Sequence, residues 1–402
     1  MKVPFYRPSI TEREIEEVVA CLRSGWLTTG PATRDFEAEL AKYVGAKYAV
    51  AVNSCTAALH LALEAVGVRR GDLVLVPTMT FAATAEVIRY FDAIPVFVDC
   101  DRDQCIDITA ARTTLQRLAN DEPVPGVPVA HGPVRAIIPM HYAGQMADVH
   151  GVRALANEYG LAMIEDAAHT LPAYTRTNSD APWQSVGTTG DITCFSFYAN
   201  KCITTGEGGM AVTDDERMAE RMRLMSLHGM SKDAWRRFTA SGSWYYEVVA
   251  PGFKYNLTDI AASIGRVQLQ RAEELWAARQ QLATEYQRAL ADVSGLELPV
   301  ERPDRRHSWH LYSIRLDLSV WTRGRDAFIA DLKERGIGAS VHWMPLHMQP
   351  YYRDTYKLRP DDFPVAASLW PRLVTLPLFP GMTSDEIGAV VSAIRAMARG
   401  GA

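Results

Sequence analysis

The chain has 402 residues, which is too long for one ordinary hydrophobic core and predicts two domains. Its formal net charge of −5 gives no electrostatic attraction to nucleic acid or to an anionic membrane surface, and no apolar run reaches the roughly 18 residues of a spanning helix. The N-terminus has no apolar signal-peptide core, and the six cysteines are scattered without a C-x-x-C pair, so we expect reduced thiols in a cytoplasmic protein.

The first part of the chain alternates strand and helix patterns. A helix with a capping threonine is predicted over 11–22, followed by a loop over 24–31 and a helix over 36–43. The predicted strands span residues 46–52, 72–76, 95–99, 135–140, 161–164, 191–195 and 210–213. The further predicted helices span residues 56–66, 81–90, 110–118, 149–159 and 217–227. This alternation indicates an α/β domain with a mostly parallel sheet flanked by helices, which we place at residues 1–265.

The remaining residues, 266–402, are predicted to form a smaller α+β C-terminal domain. One long helical stretch over 260–293 is expected to bridge the two domains. Two further helices are predicted over 325–336 and 385–397, with strands near 310–316 and 340–342. The segments predicted to be irregular are the proline-rich stretch 120–128, residues 175–189, and the loop that runs to residue 251.

Three predicted strands lead into side chains that suit one cofactor. The strand over 161–164 runs into Asp166, and open α/β sheets bind ligands at the carboxyl ends of their strands. Lys201 follows the strand over 191–195, and apolar surroundings favour a lysine as a neutral amine or an imine. Small polar residues around Thr56 stand where a helix begins, so their amides can hold a phosphate. A phosphate cradle, a buried aspartate and a strand-end lysine are the parts that pyridoxal phosphate (PLP) requires.

Six motifs that follow one another along the chain carry a family resemblance. They span residues 24–31, 77–84, 141–144, 196–209, 252–259 and 376–380. With these motifs the chain resembles, almost end to end, the PLP-dependent nucleotide-sugar aminotransferases of the DegT/DnrJ/EryC1/StrS family. The resemblance implies the fold of a fold-type-I PLP aminotransferase, with a large PLP-binding domain and a smaller C-terminal domain. It also implies a homodimer with shared active sites.

The resemblance assigns the catalytic roles to Lys201 and Asp166. Lys201 would form the Schiff base with PLP and, once released, act as the general base that moves a proton. Asp166 would keep the pyridine nitrogen protonated, so that the ring can accept electrons. His169 occupies the position where the family has Gln or His near the ring hydroxyl, and Phe81 is expected against the ring face. An ordinary core side chain is the alternative for both His169 and Phe81.

The same resemblance implies a phosphate site. It implicates Thr56, with a backbone amide nearby at Cys55, and the hydroxyl of Ser196. Cys55 stands where many relatives have glycine. Family patterns also bring one residue of the 254–256 segment to the phosphate from the neighbouring subunit. Either Lys254 or Asn256 would fill this role, because neither position has the residue that is common in the family.

Four further residues are candidates for contacts with the substrate. Trp26 and Thr29 lie in the first loop, which in the family is near the active site and is often contributed across the dimer interface. Simple packing is the alternative for both. His310 and His342 are expected to line or flank the substrate pocket. The spacing of the histidines gives no set of four convergent ligands, so no metal site is predicted.

The resemblance predicts transfer of an amino group from L-glutamate, through pyridoxamine phosphate (PMP), to a ketone on a nucleotide-linked sugar in amino-sugar or polysaccharide biosynthesis. Because the 340–352 segment is similar to relatives that aminate C-4, a 4-keto-6-deoxyhexose ranks first, a 4-keto pentose second and a 3-keto sugar third. One alternative is a PLP-dependent sugar dehydratase, which would have histidine in place of Lys201. Another is a non-catalytic regulatory protein of the same fold, which would show no absorbance from a bound cofactor.

Overall fold

The computed structural model describes residues 1–230 and 245–399, and its centre is a seven-stranded sheet. The strands up to residue 213 are β1 Tyr48–Val52, β2 Leu73–Pro77, β3 Ile94–Val98, β4 Val134–Ile137, β5 Ala162–Asp166, β6 Tyr174–Thr175, β7 Gln184–Ser185, β8 Ile192–Ser196 and β9 Gly209–Thr213. The order of the strands in the central sheet is β1-β9-β8-β5-β4-β2-β3. The neighbours from β8 through β5, β4 and β2 to β3 pair in parallel, whereas β9 is antiparallel to both β1 and β8. The predicted mostly parallel sheet is therefore confirmed.

Helices cover both faces of this sheet. They are α1 Glu12–Ser24, α2 Pro31–Val44, α3 Cys55–Ala65, α4 Ala82–Arg89, α5 Ile108–Ala119, α6 Val149–Tyr159, α7 Glu216–Ser226, α8 Asp259–Gln270 and α9 Ala272–Leu290. Alternate residues of one strand enter different hydrophobic clusters: Leu73 and Leu75 of β2 pack on one side, and Val74 and Val76 on the other. A strand that is buried on both faces in this way is typical of α/β proteins.

Local sequence explains where the helices that frame the site begin and end. At the start of α1, the backbone N–H of Thr11 donates to the Glu14 carboxylate in the predicted capping arrangement. The helix ends at Gly25, whose φ of +80° is a left-handed conformation that favours glycine. At the start of α3, the hydroxyl of Ser54 accepts a hydrogen bond from Ala57 N–H at 3.1 Å. The other N–H groups in the first turn of α3 have no carbonyl partner within the helix, and they face the end of the sheet.

The predicted long helical stretch over 260–293 consists of two helices, because the chain breaks between α8 and α9 at Arg271. The guanidinium of Arg271 turns towards α1, where it donates to Glu14 Oε1 at 2.7 Å, and both side chains are buried. Helix α8 packs against α1 and α2, and Leu275 of α9 still belongs to a core beneath the central sheet. From Leu282 onwards, α9 packs in the core of the C-terminal part. The division of the chain between residues 265 and 266 stays a prediction.

The C-terminal part has a small antiparallel sheet with helices packed against it. Its elements are β10 Leu296–Glu297, β11 Arg305–Arg306, β12 Tyr312–Leu316, β13 Leu373–Leu376, α10 Gly324–Glu334, α11 Pro350–Tyr356, α12 Pro364–Leu369 and α13 Ser384–Arg399. Strands β10, β12 and β13 form one sheet, whereas β11 pairs with β6, which pairs with β7. The predicted strand at 340–342 is replaced by a single bridge between Ser340 and Thr375.

The segments predicted to be irregular have different outcomes. Residues 175–189 contain the end of β6 and all of β7. These two strands pair with each other, and β6 also pairs with β11, in a three-stranded sheet that is separate from the sheet of β10, β12 and β13. In the proline-rich stretch, Val124 is buried in the core although most of its neighbours are exposed. Of the loop that runs to residue 251, residues 231–244 lie outside the described part of the chain. All six cysteines are buried and unpaired, and none of the described helices is long and apolar enough to cross a membrane.

Candidate active site

A cavity of about 400 Å³ lies at the carboxyl ends of β5 and β8, against the first turn of α3. We call it the lysine cavity. The predicted site residues that line it are Cys55, Thr56, Phe81, Asp166, His169, Ser196, Lys201, His310 and His342. The fold therefore brings together side chains that the sequence spreads over almost 290 positions, from α3 to the segment before β13.

Lys201 lies in the turn that follows β8. Its backbone N–H donates to Tyr198 O at 2.9 Å, and its carbonyl accepts a hydrogen bond from the buried guanidinium of Arg279 at 3.4 Å. Burial lowers the pKa of the Lys201 amine, although the nearby Asp166 and Cys55 act in the opposite direction. Lys201 is therefore placed to serve as a neutral nucleophile or base.

Asp166 is the last residue of β5, and the residue is only 3% exposed. The hydroxyl of Thr84 on α4 donates to Oδ2 at 2.7 Å, and the backbone N–H of Ala168 donates to Oδ1 at 3.1 Å. Burial raises the pKa of the Asp166 carboxyl, whereas these two hydrogen bonds and Lys201 oppose that shift. A cation or an N–H donor in the cavity would stabilise the charged form of this buried carboxylate.

A second buried carboxylate stands behind Asp166. His141 Nε2 and Glu165 Oε2 are 3.0 Å apart, and both side chains are wholly buried. His141 Nδ1 accepts a hydrogen bond from the backbone N–H of Ala147, so the proton resides on Nε2, which donates to Glu165. The hydroxyl of Thr189 also donates to Glu165, at 2.5 Å. The motif at 141–144 thus supports the strand end that carries Asp166.

Three histidines and a tryptophan form the opposite wall of the lysine cavity. The ring centroid of His169 is 4.3 Å from that of His310 and 5.0 Å from that of Trp343. His169 Nδ1 accepts from the N–H of Ala143 at 3.2 Å, and His342 Nδ1 lies 2.8 Å from Thr375 Oγ1. Burial lowers the pKa of His169 and His310 well below the usual value, and that of His342 to about 4. The imidazoles are therefore neutral at pH 7.

The first turn of α3 forms the polar end of the cavity. Ser54, Cys55 and Thr56 face it from the helix start, and Ser196 faces it from the end of β8. Gly209 of β9 lies so close behind that a Cβ there would stand 2.4 Å from the carbonyl carbon of Ser54. Free N–H groups at a helix start attract an anion, and hydroxyl groups add further donors.

The other predicted site residues lie in a different cavity of about 630 Å³, which we call the Trp26 cavity. Trp26, Thr29, Lys254 and Asn256 line it, and none of the four lines the lysine cavity. Asn256 Nδ2 donates to Thr29 Oγ1 at 2.7 Å, and the Lys254 ammonium donates to Asn256 Oδ1. Within one chain these residues do not meet Lys201, and their roles stay predictions.

Several residues of the lysine cavity were missed by sequence reasoning. Trp343, Tyr198, Asn200 and Glu207 line it, and Thr84 holds Asp166 from behind the wall. Asn200 and Tyr198 lie within the lysine motif, so their proximity to Lys201 was a usable signal. Thr84 is the last residue of the 77–84 motif, but the motif does not indicate which distant side chain this threonine contacts. In residues 1–230 and 245–399, no cluster of three or more metal-ligating side chains is present.

Comparisons with known proteins agree with this geometry. The profile of the DegT/DnrJ/EryC1/StrS aminotransferase family matches residues 8–395. The spore coat polysaccharide biosynthesis protein SpsC of Bacillus subtilis is 42% identical over 399 residues, which cover 99% of this chain and 97% of SpsC. The chain therefore belongs to the DegT/DnrJ/EryC1/StrS family and is an aminotransferase, as the motifs predict.

Solved structures of similar proteins have the same fold. Spr1654 from Streptococcus pneumoniae, in its PLP form, matches with a TM-score of 0.86 and 30% identity over 100% of both chains. Its PMP form matches with the same TM-score and 31% identity, over 100% of this chain and 98% of that chain. DesI, solved in the presence of its TDP-sugar product, has a TM-score of 0.83 and 26% identity over 99% of this chain and 93% of DesI. The predicted aminotransferase fold of type I is confirmed.

Proposed function

We propose that this chain is a PLP-dependent sugar aminotransferase that moves an amino group from L-glutamate to the ketone of a nucleotide-linked sugar, with a 4-keto-6-deoxyhexose as the first candidate. One observation carries the proposal. The amine of Lys201, the buried carboxylate of Asp166 and the first turn of α3 all face one cavity. These groups match the three things that PLP needs from a protein, namely an amine, a pyridinium partner and a phosphate anchor.

The residues of the lysine cavity fit PLP on physical grounds. Each oxygen of Asp166 accepts one hydrogen bond from the protein and has further lone pairs available. Burial raises the pKa of the Asp166 carboxyl, and a pyridinium N–H⁺ would offset the cost of burying its charged form. The helix start at Cys55 and Thr56, with Ser196 opposite, supplies neutral donors for a phosphate. Phe81 is 56% exposed and faces the same cavity, where a flat ring can stack on it.

When bound, PLP carries the amino group between the two substrates and accepts electron density while a proton is removed. The carboxylate of Asp166 would hold the proton at the pyridine nitrogen through a charge-assisted hydrogen bond. Burial lowers the pKa of the Lys201 amine, which favours its neutral form, and this amine would take up and return the proton that moves during the transfer. The neutral imidazoles of His169, His310 and His342 add no positive charge that would repel a protonated donor amine.

The relatives support the substrate class. SpsC is named for spore coat polysaccharide biosynthesis, and DesI was solved in the presence of a TDP-sugar product. Lysine at position 201 argues against the dehydratase alternative, because those relatives have histidine there. The choice of L-glutamate, of the 4-keto position and of a 6-deoxyhexose rests on the motif resemblance. Such substrates differ by one methyl or hydroxyl group, which a pocket separates by only about 1–3 kcal/mol.

A homodimer with shared sites is part of the proposal. Trp26, Thr29, Lys254 and Asn256 collect in a cavity of their own, with a hydrogen-bond network that joins the first loop to the 254–256 segment. A second copy seated against this surface would bring a lysine cavity to these residues. The basic side chain of Lys254 would then suit the phosphate end of that site.

Incubation of the purified enzyme with L-glutamate and a panel of 3-keto and 4-keto nucleotide sugars tests the proposal. We expect an aminated product that mass spectrometry detects and NMR assigns to C-4. We also expect visible absorbance from the bound cofactor, which Lys201→Ala loses together with all turnover. An amine at C-3, or turnover only with a ketone that has no nucleotide, would refute the substrate assignment. A colourless wild-type protein that binds no PLP would favour the regulatory alternative.

A further inference from the structure

A buried arginine interrupts the apolar face of α9. Leu275, Arg279, Leu282, Tyr286 and Leu290 are all buried, at the spacing of one helical face. Leu275 belongs to the core beneath the central sheet and Leu282 to the C-terminal core, so Arg279 lies on the helix between the two cores. It is only 2% exposed, and an arginine is rarely buried to this extent unless it is paired with an acid.

The charge of Arg279 has no carboxylate partner in the described part of the chain. Within residues 1–230 and 245–399, the guanidinium makes one hydrogen bond, from Nη2 to the carbonyl oxygen of Lys201 at 3.4 Å, while Nε and Nη1 have no partner. The ionisable groups that act on it are the thiol of Cys202 and the phenol of Tyr6. Burying a cation in this way costs free energy. Stability therefore does not explain why α9 has an arginine at this position.

The hydroxyl of Tyr6 holds a second carbonyl of the same turn. It donates to Ala199 O, and the turn is closed by the backbone N–H of Lys201, which donates to Tyr198 O at 2.9 Å. Burial raises the pKa of Tyr6 to about 12, so the phenol keeps its proton and remains a donor at neutral pH. Two carbonyls of the turn that carries Lys201 are thus held from outside it, one by the N-terminal segment and one by α9.

The N-terminal segment is itself fixed on both sides of Tyr6. Val3 exchanges backbone hydrogen bonds of 2.8 and 2.9 Å with the segment 336–338. The guanidinium of Arg7 pairs with the carboxylate of Glu386 at 3.0 Å. Both partners belong to the C-terminal part, as the second half of α9 does. The hydroxyl of Tyr6 is therefore presented to the turn by a segment that is attached before and after it.

We infer that Tyr6 and Arg279 are positioning residues that hold the lysine turn, residues 198–201, so that the amine of Lys201 faces the lysine cavity. This inference rests on the proposed role of Lys201 and deepens it. Whenever the amine is free of the cofactor, the backbone of the lysine turn determines where it points. An amine displaced by about 1 Å reacts more slowly, although the substrate binds as before. The two contacts therefore act on the chemical step and not on substrate affinity.

Two variants that each delete one hydroxyl test the contact of Tyr6. Tyr6→Phe loses the donor to Ala199 O, whereas the control Tyr286→Phe loses a donor to Pro377 O, at 2.9 Å in the C-terminal core. The half-reaction with L-glutamate is followed as a change in cofactor absorbance. Its limiting rate should fall about 5-fold in Tyr6→Phe, with half-saturation within about 2-fold of the wild type. Tyr286→Phe should keep the wild-type rate. Equal limiting rates in Tyr6→Phe and Tyr286→Phe would overturn the inference.

Arg279→Met separates positioning from stability. Methionine is unbranched and removes the buried charge, so the urea midpoint of the apoenzyme should stay the same or rise. The limiting rate of the half-reaction should nevertheless fall at least about 10-fold, because the carbonyl of Lys201 loses its partner. A wild-type rate in Arg279→Met would show that the arginine has no positioning role. If this variant does not fold, Tyr6→Phe still decides whether the lysine turn is held from outside.

Hydrogen exchange of the apoenzyme gives a readout that does not depend on turnover. Mass spectrometry of peptides that cover residues 198–205 should find faster exchange in Tyr6→Phe and Arg279→Met than in the wild type. Tyr286→Phe should not change the exchange of these peptides. Identical exchange of this segment in the wild type and all three variants would contradict the inference.

Lys201→Ala separates this inference from the proposed role of Lys201. A Lys201→Ala protein that keeps turnover contradicts that role, and the inference is lost with it. If Lys201→Ala is inactive while Tyr6→Phe and Arg279→Met both react at the wild-type rate, only the positioning inference is wrong.

Discussion

The hydroxyl of Thr84 donates a hydrogen bond of 2.7 Å to Oδ2 of Asp166, and both side chains are buried. Thr80 Oγ1 lies 2.6 Å from Thr84 Oγ1, so the contact continues into the loop before α4. The other oxygen of Asp166 accepts from Ala168 N–H. These contacts fix the plane of the carboxylate that would meet the pyridine nitrogen of PLP, and they favour its charged form.

Thr84→Val should weaken the enzyme without unfolding it. The change removes one hydrogen bond to a buried carboxylate, which is worth about 1.5–3 kcal/mol, or roughly 10- to 100-fold in PLP affinity or turnover. A titration of the apoenzyme with PLP, followed by absorbance, measures the affinity. Thr193→Val is the matched control, because Thr193 is a buried strand threonine whose hydroxyl has no partner among the described residues. Equal losses of PLP affinity or turnover in the two variants would mean that the hydrogen bond from Thr84 to Asp166 has no special role.

Asp166→Asn should separate stability from activity. The uncharged amide removes a carboxylate whose burial raises its pKa, so the apoenzyme should be as stable as the wild type or about 1 kcal/mol more stable. Turnover should fall at least about 100-fold, because an amide does not hold a proton at the pyridine nitrogen. Chemical denaturation and steady-state kinetics measure the two effects. Wild-type turnover in this variant would show that Asp166 is not the pyridinium partner.

The stability of the apoenzyme should depend on pH through Lys201. Burial lowers the pKa of its amine in the folded state below 10.5, the ordinary value that the unfolded chain retains. Between these two pKa values the unfolded chain binds a proton that the folded chain does not. The free energy of unfolding of the wild type, relative to Lys201→Met, should therefore rise with pH across that window. Urea unfolding at several alkaline pH values measures it, and a difference that does not change with pH would contradict the lowered pKa.

Glu14 should make the fold sensitive to acid. Burial by itself would raise its pKa, but hydrogen bonds from Thr11, Arg271 and Gln268 lower the pKa from the ordinary value of 4.5 to about 2. Its contribution is therefore complete above pH 4.5 and is lost as the pH falls through about 2. Glu14→Gln should cost about 3 kcal/mol at neutral pH, because the buried guanidinium of Arg271 then keeps only the exposed carboxylate of Glu274, 3.2 Å away, as a charged partner.

Unfolding measurements across the acid range test the role of Glu14. The stability difference between the wild type and Glu14→Gln should shrink as the pH drops from 4.5 towards 2. Glu16→Gln on the exposed face of α1 should match the wild type throughout. A difference that persists unchanged at low pH would show that Glu14 acts through packing and not through its charge.

Mixed dimers test the proposed sharing of sites. Lys201→Ala chains are inactive because they lack the amine, and Lys254→Ala/Asn256→Ala chains lack the contribution to the neighbouring site. If sites are shared, a one-to-one mixture should regain about a quarter of the wild-type rate, because half of the dimers then contain one complete site. Each variant alone is the control. No recovery in verified heterodimers, or full activity in a monomer, would refute the shared site.

The sequence alone determined the family, the mostly parallel sheet and the chemical centre of the site. Lys201 and Asp166 could be predicted because each follows an apolar strand, and the carboxyl ends of neighbouring parallel strands meet at one edge of a sheet. The start of α3 could be predicted because small polar residues after a strand are typical of a helix N-terminus. These signals are local: each depends on a few neighbouring residues, so it can be recognised without knowing which distant residues pack against them.

Tertiary structure decided the features that depend on distant partners. Thr84 and Asp166 are 82 residues apart, and the 77–84 motif that ends at Thr84 does not indicate that this threonine supports the Asp166 carboxylate. Arg271 and Glu14 are 257 residues apart, and their buried pair accompanies the break that divides the predicted helical stretch into α8 and α9. Phe81 and Trp343 meet only because α4 and the segment before α11 pack together. Side-chain periodicity records which face of an element is buried, but it does not record which partner buries it.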